Sequence, residues 1–462
     1  MFLYSITRTV PGSSFFFKFT KDLLLQTVEY IYNIVLNTVG YGIIPFVWKK
    51  SELDPTFFKG RLGRYEIHAD QQQGRPRIWF HTVSVGEVTG AVPTLCALHE
   101  RLPESSIFLS TGTPQGYHFA QAQLPRWVRV VPFPLDFPWI LKRTFQSLQP
   151  DLYVAMESEF WPNLFRYLRE REIPSILLNG RLSSRSAKRY ALLKSLFFPI
   201  FRQFKCLGMH SEEDRQNILG LGVSKERTLV LGSSKYDGLL QRVDPSKTST
   251  WREKLNLPLH LPVVVGGSLR RSECIQILEV FQSLLQVEPQ AVGIFAPRHL
   301  ERIPNMVLWL QERGIDFQML SHLEKTREKR RASIVLVDRI GILFELYSLG
   351  DLIFCGGTLE PIGGHNILEP AAWRKPVFYG PCLQKVLDEH SILHSLQGSF
   401  PVRDKHELLQ QWTYWIQHLP ALKVHGEKAK EALLKMAGVA DRQVEIIMAV
   451  LAERKRSGAS RS

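Results

Sequence analysis

The feature that most constrains the fold is a rhythm of short apolar runs, each bounded by turn residues and most followed by a helix-length amphipathic segment. It passes through "RIWFHTVSV" (77–85), "SIFLST" (106–111), "RVVPFPL" (129–135), "DLYVAME" (151–157) and "PSILLNG" (174–180). Strands that alternate with helices predict a parallel sheet covered by helices on both faces. The rhythm stops over 237–258, a polar stretch without a strand, and restarts with "PVVVGGS" (262–268), "AVGIFAPRH" (291–299), "RASIVLVD" (331–338), "DLIFCGG" (351–357) and "KPVFYGP" (375–381). The expectation is two facing, Rossmann-like doubly wound α/β domains over 51–236 and 259–435, joined by a linker at 237–258, with a C-terminal helix and basic tail over 436–462. A chain of 462 residues has room for two such domains. Ligands of such sheets sit at the carboxyl ends of the strands.

Residues 1–50 read differently. From Leu23 to Trp48 the sequence is mostly aliphatic or aromatic with Glu29 as its only charge. A helix of that length just crosses a bilayer core of about 30 Å. Asn33, Asn37, Gly40, Gly42 and Pro45 weaken it as a span, and Tyr30, Tyr32, Tyr41 and Trp48 suit a helix lying in the interface, so both forms of membrane anchor stay open. Lys49, Lys50, Lys59, Arg61, Arg64, Arg75 and Arg77 follow the segment and only Arg8, Lys18 and Lys21 precede it, which places the large C-terminal part in the cytoplasm. The formal charge of +14 calls for an anionic partner without naming it. Five dispersed cysteines with no CxxC support neither a zinc site nor a disulfide framework.

Unusual residues gather where the strands are expected to end. The second block has Gly266-Gly267-Ser268, Pro297-Arg298-His299, Gly341 after Asp338, Gly356-Gly357-Thr358 and Gly363-Gly364-His365-Asn366. Glycines there let backbone N–H groups approach a phosphate, and a following helix adds its positive dipole end. Asn366 and Glu369 fall on one side of a helix start. They would grip a ligand diol or form a capping box with no ligand, and residue chemistry alone leaves both open. In the first block Glu87 follows a strand and Gly86, placed to take a proton from an attacking hydroxyl if burial raises its pKa. Glu157 and Glu159 end another strand before Trp161-Pro162-Asn163. There is no GxxxxGK[ST], HExxH, GxSxG or post-strand GxGxxG, and no DxD beside a strand, so P-loop, zincin, α/β-hydrolase, dinucleotide and metal-dependent transferase chemistries lose support.

"HTVSVGE", "STGTPQGY", "ESEFWPN", "LNGRLSSRS", "GSSKYD", "APRHLER" and "GGTLEPIGGHNILEPAAW", in this order over about residues 50–430, resemble the 3-deoxy-D-manno-octulosonic acid (Kdo) transferases of lipopolysaccharide assembly. The resemblance implies an inverting glycosyltransferase of the GT-B fold, anchored to the cytoplasmic face of the inner membrane. It would move Kdo from CMP-Kdo to a lipid A precursor, with one unit or several added in succession, and with no metal, no cofactor and no nucleic-acid partner. Glu87 would be the general base. Glu157 or Glu159, with Lys235, would stabilise the transition state or position the donor. Ser268, Pro297, Arg298, His299, Ile340, Gly341 and Gly364, with Asn366, Ile367, Leu368 and Glu369, would hold CMP. Arg181 and Arg185, beside Lys188 and Arg189, would face the anionic acceptor. A transferase using a UDP-sugar shares the anchor, charge and sheets and is the alternative. "DRIGIL" departs from the family's DTMGEL by placing Ile342 where a glutamate is usual, so either Glu345 substitutes or the contact runs through the amides of Ile340 and Gly341. "GSSKYD" departs from GNLKFD at Ser233 and Ser234.

Overall fold

The computed structural model describes residues 27–40, 54–65, 74–326 and 328–459. They divide into two compact units, one of residues 1–238 with 438–462 and one of 239–437.

The first unit holds a seven-stranded, wholly parallel sheet in the order β3-β2-β1-β4-β5-β6-β7. Its strands are β1 (Arg77–Thr82), β2 (Ser106–Thr111), β3 (Val128–Pro132), β4 (Leu152–Met156), β5 (Ser175–Gly180), β6 (Cys206–Met209) and β7 (Thr228–Val230). Side chains alternate across the sheet, and both faces are apolar because helices cover both. Ile78 and Phe80 of β1 and Leu152, Val154 and Met156 of β4 enter one core, while Trp79, Tyr153 and Ala155 enter the other. The helix Val439–Ala459 returns to this unit, and Val439, Val444 and Ile447 pack into the first of those cores.

The second unit repeats the plan with seven parallel strands in the order β10-β11-β9-β8-β12-β13-β14. They are β8 (Val263–Leu269), β9 (Val292–Pro297), β10 (Phe317–Met319), β11 (Ile334–Leu336), β12 (Leu352–Cys355), β13 (Val377–Tyr379) and β14 (Ser399–Pro401). The order reverses at β1/β4 in one sheet and at β8/β12 in the other, the switch points where ligands of such sheets bind.

All ten predicted strands are present, in parallel sheets. β6, β7, β10 and β14 have only three or four residues each and gave no comparable apolar run. The polar stretch 237–258 carries the helix Pro245–Lys254, whose Trp251 is buried and donates to Glu345 Oε2 at 2.6 Å. Among the described residues no helix is long and apolar enough to cross a membrane. Of the anchor segment 23–48, residues 27–40 form a helix and the rest lies outside the described residues.

Candidate functional site

In the first unit the loops after β1 and β4, the two strands at the switch point, bring three carboxylates into mutual influence. Ser84 caps the helix Val85–Arg101, and Glu87 in its first turn accepts from Val83 N–H at 2.7 Å and from the Ser84 hydroxyl at 3.3 Å. Glu87 is therefore a helix-start acid in form. Burial nevertheless drives its pKa up to about 7, and the charges of Glu157 and then Glu159 add to the rise, against the pull of Val83 and Ser84. Such a carboxyl is poised to exchange a proton near neutral pH.

Glu157 has φ +63, a left-handed conformation costly for a residue with a Cβ. The strain is held by two ladder bonds, Glu157 N–H to Leu178 O (3.0 Å) and Arg181 N–H to Glu157 O (3.3 Å). Its carboxylate lies 3.5 Å from Lys235 Nζ. The lysine stem passes over Gly90, where an added Cβ would stand 3.2 Å from Lys235 Cε and press on the stem. Glu159 is committed elsewhere. It accepts from Trp161 Nε1 at 2.7 Å and faces the buried His81 Nε2 at 3.4 Å. Burial pushes Glu159 up, but His81, Trp161 and Arg61 outweigh it and hold the carboxyl below its ordinary value.

"GSSKYD" is explained by long-range contacts. The Ser234 hydroxyl donates to Gly90 O at 2.6 Å, and Ser234 shares hydrogen bonds with the buried Asn179. Asn179 also accepts from Gln443 Nε2 at 2.8 Å. Asp237 accepts from the N–H groups of Gly438 and Ala440 at the start of the last helix. Lys235 thus stands on a strut built from β5, the helix after β1 and the C-terminal helix.

The second unit gathers the opposite charge. Burial lowers the His365 pKa to about 4, helped by the charges of Arg270, Arg298, Lys385 and His299. Among the described residues none of those four makes an ion pair, and Arg270 Nε has no hydrogen-bond partner. Cationic side chains of one sign converging at strand ends make an anion site. Arg298 N–H is tied to Leu269 O at 2.9 Å, which fixes the end of β9 against the end of β8. The N–H groups of His365, Asn366 and Ile367 donate to no described group, whereas those of Gly364 and Leu368 go to Gly357 O (2.8 Å) and Asn366 Oδ1 (3.1 Å). The capping box is not formed: the helix Glu369–Ala372 has Leu368 at its N-cap and no side-chain cap bond. Asn366 makes a local turn two residues on, and Glu369, with its pKa raised by burial against Arg242 and Arg298, keeps a carboxyl at the helix Glu369–Ala372.

Comparison with known proteins now identifies the chemistry. A family model described as 3-deoxy-D-manno-octulosonic-acid transferase (kdotransferase) matches residues 57–238. The 3-deoxy-D-manno-octulosonic acid transferase of Chlamydia pneumoniae is 33% identical over 354 residues, 76% of this chain and 80% of that one. The chain belongs to the Kdo transferase family. It is a glycosyltransferase. A bifunctional glycosyltransferase/methyltransferase of Fusobacterium nucleatum is 34% identical over 361 residues, 78% of this chain, which spans 54% of that longer protein. The UDP-GlcNAc 2-epimerase of Neisseria meningitidis, at 12% identity, shares the GT-B fold with a TM-score of 0.57 over 80% of this chain and 99% of that one.

For a Kdo transferase the residues expected from sequence fall into two groups. Glu87, Glu157, Glu159 and Lys235 lie within the first unit, where Arg181, beside His210 Nε2 at 3.2 Å, and the exposed Arg185 also stand. Arg298, His299, Asn366, Ile367 and Glu369 lie around the cation cluster. Gly266, Gly267 and Ser268 belong to β8 itself, which runs on to Leu269, and Ser268 takes φ +54 beside Tyr347. Ile340 is 78% exposed and Gly341 has φ +95 with open space around it, so the amide route remains available there. Glu345, the substitute considered for a missing glutamate, is engaged by Trp251 and by Lys247 at 3.8 Å. Arg270 and Lys385 are not among the residues expected from sequence, since both stand outside the glycine-rich strand exits. A run of two arginines leaving a strand was the available signal for the first.

Proposed function

We propose that the chain transfers Kdo from CMP-Kdo to a hydroxyl of a lipid A precursor, with inversion. The observation that carries this is the separation of charge between strand ends: an acid with a pKa of about 7 in one unit and an unneutralised cation cluster in the other. Glu87 takes the proton of the acceptor hydroxyl as its oxygen bonds to the anomeric carbon of Kdo, and the carbon–phosphate oxygen bond breaks with its electron pair leaving on CMP. Arg270, Arg298 and Lys385, with the N–H groups of His365, Asn366 and Ile367, hold the phosphate that gains charge. Asn366 and Glu369 orient the nucleotide, with Ser268, Pro297, His299, Ile340, Gly341, Gly364 and Leu368 around them. Glu157 raises the basicity of Glu87, and Lys235, 3.5 Å away, holds the Glu157 carboxylate in place. Residues 51–236, within the first unit, form the acceptor-binding half and 259–435, within the second, the donor-binding half.

Arg181 and Arg185 meet the phosphates of the acceptor. Arg185 sits on the helix Ser184–Leu192, which buries no residue and ends in the exposed Leu192 and Leu193 beside Lys188 and Arg189, a composition suited to an anionic bilayer surface. The helix 27–40 has the same bias. Three of its polar residues face the protein, through Tyr32 to Asp136 (3.0 Å), Asn33 to Asn163 (3.1 Å) and Glu29 to Arg169 (2.9 Å), while Tyr30, Ile31, Ile34, Val35 and Val39 are exposed, with Asn37 and Thr38 among them. An outward face in which large apolar side chains predominate suits a helix resting in the cytoplasmic face of the inner membrane.

The test is incubation of the purified protein with CMP-Kdo and a tetraacylated lipid A precursor, with mass spectrometry counting the sugars added. Release of CMP with one or more Kdo units on the lipid is expected. Release of UDP from a UDP-sugar, with none of CMP, overturns the donor assignment.

A further inference from the structure

We infer that Glu273 is a positioning residue of the donor site, a resident anion that sets the spacing of the two banks of the cation cluster. The inference rests on the donor assignment above. Glu273 opens the helix Glu273–Leu284 just after β8, and its side chain is fully buried and makes no ion pair among the described residues. Four backbone N–H groups compensate the charge. Oε1 accepts from Thr358 (2.9 Å) and Leu359 (2.8 Å), and Oε2 from Gly357 (2.6 Å) and Arg270 (2.9 Å). A carboxylate bound this way is held by charge-assisted hydrogen bonds at both oxygens, from the exits of two different strands.

Two consequences follow. The amides of Gly357, Thr358 and Leu359, which a glycine-rich exit would otherwise present to a phosphate, are occupied by the protein's own anion, so the donor must meet side chains and the later amides 365–367. Oε2 alone also joins the two banks. On one side it fixes the backbone of Arg270. On the other it fixes Gly357, whose carbonyl accepts from Gly364 and whose missing Cβ leaves room for the His365 ring 2.8 Å away. Thr358 extends the same frame, its hydroxyl donating to Cys355 O at 2.7 Å and accepting from Gly380 N–H at 2.9 Å, so the β13 exit is tied in as well.

The test is Glu273→Gln, which keeps the shape and turns one oxygen into an amide opposed to two N–H donors. Losing charge-assisted bonds at that oxygen raises the KM for CMP-Kdo by about tenfold or more, with kcat at saturating donor and the KM for the lipid acceptor nearly unchanged. An unchanged donor KM, or equal losses in all three parameters, overturns the inference. If the variant does not fold, amide hydrogen exchange of the wild-type segment 356–361 decides. Protection of 357–359 without donor and unaltered by CMP supports Glu273 as their partner; fast exchange that slows only when CMP is added assigns those amides to the ligand and overturns it. The exchange measurement needs no turnover, so it stands apart from failure of the transfer assay itself.

Discussion

The two sheets are built to one plan, seven parallel strands with a switch point, yet their carboxyl ends carry opposite electrostatics. In the first unit the uncompensated group is an acid: Glu87 is raised to about 7 because burial and Glu157 both oppose its charge, while Lys235 pairs with Glu157, and His81, Trp161 and Arg61 offset Glu159. In the second unit the cations are uncompensated, and its buried acid, Glu273, is consumed by backbone N–H groups. The strand orders differ, since β11 lies between β10 and β9, but both sheets have a switch point, and the sign of the charge there is left to a few loop side chains. One set of ends suits removing a proton, the other receiving a phosphate.

The largest break in this comparison comes from Glu87→Gln. It keeps the cap to Val83 but removes the base, and the expected loss in kcat is about a hundredfold to ten-thousandfold, the usual worth of general base catalysis. Equilibrium binding of CMP-Kdo should stay within a factor of about two, since the donor cations are untouched. Wild-type turnover would remove Glu87 from the mechanism. Next in size is Arg298→Ala. Losing one charge-assisted contact to phosphate weakens donor binding about tenfold to hundredfold by calorimetry while leaving the acid limb of the pH profile in place. An unchanged Kd would mean that the cluster is not the phosphate site.

Much of the frame was legible because long parallel strands, buried on both faces, print continuous apolar runs, as "RIWFHT" and "VVVGG" do. Four short strands were not, since three residues such as Thr228–Val230 or Ser399–Pro401 carry no period. Glu87, Glu157 and Lys235 could be named from their motifs, but which of the two motif acids meets the lysine needed distances: Glu159 is held by Trp161 and His81, and Glu157 pairs with Lys235. The partners of Ser234 and Asp237 lie up to 203 positions away, at Ala440, which local pattern cannot reach. Glu273 looked like any first-turn acid, because its four partners are backbone atoms.

The pH dependence sharpens the acidic side. A base must be ionised, so kcat/KM should fall as pH drops below about 7, the folded pKa of Glu87. Because the charge of Glu157 contributes to that rise, Glu157→Gln should move the acid limb to lower pH whatever it does to the plateau. A limb that stays put or moves upward would show that the two carboxylates do not sense each other. The cationic side has a matching test in His365, followed by NMR. Its ring should titrate near 4 in the free protein and higher with CMP bound, because the nucleotide phosphate offsets the cations that push it down. The sign for stability follows. With the folded value depressed from an ordinary 6.5, the unfolded chain binds the extra proton first, so stability is lost as pH falls from about 6.5 to about 4, and CMP should narrow that window. An unshifted titration with CMP bound would separate His365 from the site.

The smallest expected effects concern the helix 27–40, and they divide its two faces. Tyr32→Phe removes one hydrogen bond to Asp136, which keeps the N–H groups of Asn163 and Leu164 at 2.9 and 2.8 Å, so the loss is a net bond of about 1 kcal/mol. In a unit of this size that lowers Tm by about 2–4 °C. Ile34→Ser with Val35→Ser alters only outward side chains, 49% and 56% exposed, and should leave Tm within about 1 °C. Its effect belongs to lipid: sedimentation with vesicles containing anionic phospholipid should show weaker binding than wild type, and Tyr32→Phe should bind as wild type does. If instead the serine pair lowers Tm and leaves vesicle binding intact, the outward face is covered by protein, and the polar face alone explains why Glu29, Tyr32 and Asn33 stand where an anchor would otherwise place leucines.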